Sequence, residues 1–109
     1  MYQVEHRSDA TVLYVRDEVD MASRRAFETV LEAAIASDPH RLIVSFEDCT
    51  YCDSTGLGIL VGAQKRIGSR LTVVAPETGA CRRLLTVSGI SKFIRCTPTL
   101  DAAFIDEAV

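Results

Sequence analysis

The chain has 109 residues, 48% of them hydrophobic and 25% charged, and 12 Lys+Arg against 15 Asp+Glu leave a formal net charge of −3. That length supports one small domain with a single core, its apolar content is too high for a disordered segment, and no apolar run approaches the ~18 residues of a membrane span. The basic pairs Arg24-Arg25, Lys65-Arg66 and Arg82-Arg83 are scattered in an acidic chain, so neither a nucleic-acid partner nor membrane insertion is expected. Residues 1–10 contain no basic-then-apolar segment, which makes a cytoplasmic address the expectation.

Tyr2, Val4 and His6 alternate with polar residues, and after Ser8-Asp9 comes the β-branched and aromatic run Val12-Leu13-Tyr14-Val15, which reads as a strand pair. Phe27, Val30, Leu31, Ala34 and Ile35 then fall on one face of a helix spaced over residues 21–37. Asp20 is expected to cap it, and Asp38-Pro39 to stop it, because proline disfavours helical geometry in the residue before it. Leu42-Ile43-Val44-Ser45-Phe46 has the composition of a buried central strand. A second helix is expected to open at Asp53 or Ser54, to bury Leu57, Leu60, Val61 and Ile67, and to end near Gly68. It contains Gly56, Gly58 and Gly62; each costs roughly 1 kcal/mol against alanine, so close backbone approach to the sheet or to a partner is the expected return. Residues 71–75 read as the next strand, a third helix follows on Ala80, Leu84 and Leu85, and Gly89 before Ile90 reads as its left-handed stop. Phe93-Ile94-Arg95-Cys96 is the last strand, and Thr97-Pro98 is expected to start a terminal helix, with proline in its first turn and Leu100, Ala103 and Phe104 turned inward.

Alternation of this kind predicts an α/β domain over residues 1–109: a mixed, mostly parallel sheet of about five strands with about four helices and right-handed crossovers. Functional loops gather at the carboxyl ends of parallel strands. That edge should collect residues 17–20, 47–55 and 76–78.

The segment with the most chemical content is Asp53-Ser54-Thr55-Gly56. A hydroxyl at a helix mouth meets unpaired amides and the positive end of the helix dipole, a place suited to an anion. Phosphorylation of Ser54 would put about −1.5 to −2 charges there. The alternative is plain capping, since Asp, Ser and Thr commonly begin helices.

Cys49 and Cys52 form a single C-x-x-C, with Cys81 and Cys96 outside any second pair. Structural zinc sites usually show two ligand pairs, so no metal is expected. A thiol-redox protein using Cys49 and Cys52 is a second functional class, but the acidic neighbours Glu47, Asp48 and Asp53 oppose thiolate formation, and reduced thiols serving as small apolar fillers are the expectation. His6 and His40 are near no nucleophile, the acids Asp17, Glu18 and Asp20 read as a solvated capping loop, and neither phosphate-loop nor dinucleotide glycine motif is present. No cofactor and no enzymatic activity are expected.

Taken in order, Asp17-Glu18-Val19-Asp20, the strand Leu42 to Phe46, Asp53-Ser54-Thr55-Gly56-Leu57-Gly58, the strand Leu71 to Pro76, Leu84 to Ile90 and Thr99 to Ala103 resemble the STAS domain of bacterial anti-sigma factor antagonists over nearly the full length. The resemblance implies a partner switch. The unmodified protein binds an anti-sigma factor that is also a serine kinase, so releasing the sigma factor; the kinase phosphorylates the serine matching Ser54, and a serine phosphatase reverses this. Asp20, Asp53, Thr55, Gly56 and Gly58 would shape the contact. Within the same resemblance, a non-phosphorylated regulatory subunit of a membrane transport complex is the alternative. Two positions depart from the family pattern: Asp17 replaces the turn glycine, although aspartate tolerates left-handed geometry, and Ser45 replaces an acid at the end of the central strand, a charge that Asp48 would partly restore.

Overall fold

The computed structural model describes residues 2–105; Met1 and residues 106–109, which the expected 1–109 domain includes, lie outside the described part. Strands β1 (Tyr2–His6), β2 (Thr11–Val19), β3 (Leu42–Cys52), β4 (Leu71–Val74) and β5 (Arg95–Thr97) alternate with helices α1 (Arg24–Ala36), α2 (Ser54–Ile67), α3 (Ala80–Ser88) and α4 (Leu100–Ala103). The sheet order is β1-β2-β3-β4-β5, antiparallel at β1/β2 and parallel thereafter.

Each parallel step moves one strand in the same direction, and right-handed crossovers of that kind place their helices on one face of a sheet. The core follows this logic. Phe27 and Leu31 of α1, Leu57, Leu60 and Ala63 of α2 and Leu85 of α3 share one cluster with Leu13, Val44 and Val73 of the strands. The alternate residues Val12, Ile43 and Val74 form a second, smaller cluster with Ala103 of α4. Phe27 anchors the larger cluster, stacked on Tyr2 at 5.9 Å and edge-on to Phe46 at 6.2 Å between ring centres. Arg41 and Arg95 each donate to the Ala103 carbonyl at 3.1 Å, which fastens the short terminal helix to the opposite face.

Several expected boundaries move. Helix α1 begins at Arg24, with residues 21–23 in a preceding turn, and Asp38 ends the segment at φ 54° before Pro39. β2 and β3 run well past their apolar centres, so residues 17–19 and 47–52, expected in loops, are strand. The apolar pattern ends at Phe46, but backbone pairing continues: Arg16, Asp17, Glu18 and Val19 face Asp48, Cys49, Tyr51 and Cys52 across two irregularities. Asp17 sits in one of them at φ 65°, the left-handed geometry that aspartate tolerates. β5 covers Arg95–Thr97, leaving Phe93 outside it and 61% exposed. Pro98 lies ahead of α4, whose cap is Thr99: its hydroxyl accepts from the Ala102 amide at 3.1 Å. Phe104 is half-buried, with the Arg7 guanidinium 4.5 Å over its ring. Gly89 takes φ 84° and stops α3, with buried Ile90 behind it.

Candidate functional site

The carboxyl ends of β2 and β3 and the start of α2 form one joint. The Asp53 amide donates to the Val19 carbonyl at 3.1 Å, so the residue before α2 is tied to the end of β2. The Asp53 carboxylate turns into the helix and accepts from the Thr55 amide at 2.9 Å, and its carbonyl accepts from the Gly56 amide at 3.1 Å. Ser54 is therefore the first helical residue and is exposed, beside half-buried Asp53 and Thr55.

This differs in one respect from a helix mouth with vacant amides: Asp53 already holds the Thr55 N–H. An anion on Ser54 would sit in the helix dipole but beside a carboxylate that has taken a principal donor. Part of its charge would remain unneutralised at the surface.

The glycines of α2 divide into two kinds. A β-carbon built on Gly56 would lie 2.9 Å from both Cys52 Sγ and Val19 Cγ1, closer than side chains pack, so Gly56 permits the helix to rest on the strand ends. Gly58 and Gly62 are exposed and have nothing within 4 Å of such an atom, so within the chain they serve no close contact. They line a groove between α2 and α1 together with Leu31, Ile35, Ile59, Glu28 and Arg66. An adjoining groove shares Glu28, Gly58 and Ile59 with it and is also lined by Ser54, Thr55 and Arg24, and Arg24 and Glu28 pair at 3.3 Å.

Asp20 does not cap α1. Its carboxylate accepts from the Ser23 amide at 3.0 Å and so closes the turn before the helix, while the Ser23 hydroxyl lies 2.9 Å from the Asp20 amide. Asp17, Glu18, Asp20 and Thr50 line a neighbouring depression. Ser45 is buried and belongs to the alternate strand positions, those of Val12 and Ile43, facing α4; its hydroxyl lies 3.3 Å from Glu47. An acid at that position would not lie beneath α2, and Asp48 does not restore one there, since it is exposed and 3.8 Å from Arg16.

Two exposed apolar side chains on this edge carried no signal in the sequence reading: Met21, 77% exposed in the turn after Asp20, and Tyr51, 49% exposed next to Cys52 on β3. Each is a large apolar residue where strand pattern and helix pattern have both lapsed.

All four cysteines are free, and Cys49 and Cys81 are buried, as expected of apolar fillers. Cys49 and Cys52 both lie on β3, and Cys49 meets Cys81 of α3 with 3.7 Å between sulfurs. Donation from the Cys81 thiol brings Cys49 down to about 7 against the opposing effect of burial, with smaller help from the backbones of Tyr51 and Val19. The Cys81 thiol is pushed up, first by that same bond and then by one with Cys52. Of the acids expected to suppress a thiolate, Glu47 and Asp48 are exposed and Asp53 is half-buried with its carboxylate on the Thr55 amide. Among the described residues no group of His, Cys, Asp and Glu is arranged to hold a metal ion, and no helix is long and apolar enough to cross a membrane.

A family model described as "Mlab, STAS domain" matches residues 2–96. An anti-sigma factor antagonist from Mycobacterium paratuberculosis is 30% identical and superposes with a TM-score of 0.89, over 94% of this chain and 89% of its own. The anti-sigma factor antagonist SpoIIAA in its unphosphorylated form is 20% identical, with a TM-score of 0.73 over 94% of this chain and 92% of its own. The phosphorylated form of SpoIIAA, described as a Bacillus cell fate determinant, gives 18% and 0.65 over 94% and 96%.

Proposed function

The chain belongs to the STAS domain, anti-sigma factor antagonist family, and we propose that it works as a phosphorylation-controlled partner switch with Ser54 as the acceptor. The unmodified form binds an anti-sigma factor that is also a serine kinase and thereby frees a sigma factor; a serine phosphatase restores it after phosphorylation. The chain itself performs no catalysis in this cycle. The observation that carries the reading is the placement of Ser54: an exposed hydroxyl on the first turn of α2, fixed by the Asp53 cap and the Val19 tether. Thr55, half-buried beside it, is the less accessible hydroxyl.

The site favours a small docking face before modification. Gly58 presents no side chain next to Ser54, and exposed Met21 and Tyr51 supply apolar area on the same edge. After modification a dianion stands there beside the Asp53 carboxylate. A partner that packs onto this face must desolvate it, and every 1.4 kcal/mol of differential binding is a factor of about ten in affinity. Arg24, paired with Glu28, lines the same groove as Ser54 and is a cation placed to meet the dianion.

The test is incubation of the chain with ATP and its cognate kinase, read by intact-mass spectrometry. One added phosphate is expected, lost in Ser54→Ala and kept in Thr55→Ala; a phosphate that survives Ser54→Ala would move the acceptor elsewhere. Co-purification from the native host should recover an ATP-binding protein with the wild type and less of it with Ser54→Asp. A regulatory subunit of a membrane transport complex would instead remain unphosphorylated and recover its partners equally in both forms.

A further inference from the structure

The thiols beneath the joint are not absorbed by a serine switch. Cys49, 8% exposed near the end of β3, and Cys81, 4% exposed in the first turn of α3, come within 3.7 Å of each other across 32 positions of sequence. That is van der Waals contact between sulfurs, compared with about 2.05 Å in a disulfide. Cys52, on the same strand, is only half-buried, its sulfur 3.7 Å from the Asp53 carbonyl, so the neighbourhood is less enclosed on the Cys52 side.

We infer that Cys49 and Cys81 form an oxidative modification site, converted by a small peroxide into a disulfide that joins β3 to α3. In the first step the Cys49 thiolate attacks one peroxide oxygen and the O–O bond breaks. With a proton taken up, this gives a sulfenic acid and one water. In the second step the Cys81 sulfur attacks the sulfenic sulfur, the S–O bond breaks, and the Cys81 proton leaves with the hydroxide as a second water. Two thiols are oxidised to one disulfide and the peroxide is reduced to two waters; an external dithiol reverses the change. The neighbouring geometry suits both steps, because the same Cys81 thiol that donates to Cys49 and favours its thiolate is the group placed to resolve the sulfenic acid.

The bond would enclose α2 and β4 in one covalent loop and fix the strand end that carries Asp53 and Ser54. It rests on the cysteine cluster and stands whether or not Ser54 is phosphorylated. The experiment treats the reduced full chain with a few equivalents of hydrogen peroxide, blocks remaining thiols under denaturing conditions, and maps peptides without reductant. The expected result is a mass loss of two hydrogens and a cross-linked peptide joining Cys49 to Cys81, reversed by dithiothreitol, absent in Cys81→Ala and retained in Cys96→Ala. Circular dichroism of Cys81→Ala separates loss of the partner from loss of the fold, and the wild-type map stands without any variant. A cross-link from Cys52 to either sulfur, oxygen addition without a cross-link, or all four cysteines recovered as thiols after peroxide would each overturn the assignment.

Discussion

Alanine at Gly56 and at Gly58, two positions on one helix turn, should have opposite effects. At Gly56 the new methyl would meet Val19 Cγ1 and Cys52 Sγ at 2.9 Å. Cys52 could rotate away, but Val19 is β-branched, fully buried and held in the β2–β3 pairing, so it decides the outcome. Overpacking of this kind costs roughly 1–3 kcal/mol, against roughly 1 kcal/mol gained from better helix propensity, for a net loss of about 1 kcal/mol. At Gly58 nothing lies within 4 Å, and the substitution should stabilise by about 0.5–1 kcal/mol. The two variants should differ by about 2 kcal/mol in urea unfolding, on the order of 10 °C in Tm for a domain of this size. Binding supplies an independent readout, since the Gly58 methyl enters the face next to Ser54: Gly58→Ala should be more stable than wild type yet recover less of the proposed kinase. If Gly56→Ala unfolds at the same or higher urea concentration than Gly58→Ala, the packing of α2 on β2 described above is wrong.

Asp53→Ala should cost about 1 kcal/mol by uncapping α2, whereas Asp53→Asn keeps an accepting oxygen for the Thr55 amide and should cost much less; thermal unfolding of the pair checks it. Asp17→Val should destabilise by about 1–2 kcal/mol, because a β-branched residue resists φ 65°, while Asp17→Gly should be neutral or stabilising; urea midpoints distinguish these. Alkylation of Cys49, followed by peptide mass spectrometry, should accelerate with pH around a midpoint near 7, because a depressed thiol is already half ionised there; in Cys81→Ala the midpoint should move up toward the ordinary thiol range. A Cys49 profile unchanged by Cys81→Ala would contradict the assigned donor.

The sequence pattern carried the element order because each core element has its own period. Phe27, Leu31 and Ala34 repeat at helical spacing, and Leu42 to Phe46 are apolar but for Ser45; all are buried where the pattern puts them. It failed where pairing outlasts the pattern. The apolar run gives way to Glu47-Asp48 after Phe46, so hydropathy ends the strand there, yet the backbone of residues 48–52 remains paired with Arg16–Val19. At the site, Asp53 as cap and Ser54 as first helical residue were legible because capping is local chemistry. The Cys49–Cys81 contact was not, since it depends on how α3 lies against β3, and nothing near either cysteine in the chain encodes that. Pro98 misled for a related reason: proline suits a first helical turn, but Thr99 offers the better cap and takes the role one residue later.

Three constraints converge on Ser54: the Asp53 amide on Val19, the Asp53 carboxylate on Thr55, and Gly56 pressed against Val19 and Cys52. All three are made by neighbouring residues and none by the Ser54 hydroxyl, so esterifying that hydroxyl removes no bond that positions the helix. A phosphate therefore has little leverage on the fold, and the Asp53 carboxylate limits how far the helix amides can neutralise it. What changes is the charge and bulk a partner meets at a fixed place. In the proposed switch, differential affinity then comes from the interface, with each tenfold needing only about 1.4 kcal/mol, while the stability of the domain stays almost constant. Equal urea midpoints for phosphorylated and unmodified protein, alongside different partner affinities, are the combination this arrangement requires. A large shift in the midpoint on phosphorylation would mean that Ser54 supports the fold through contacts other than these.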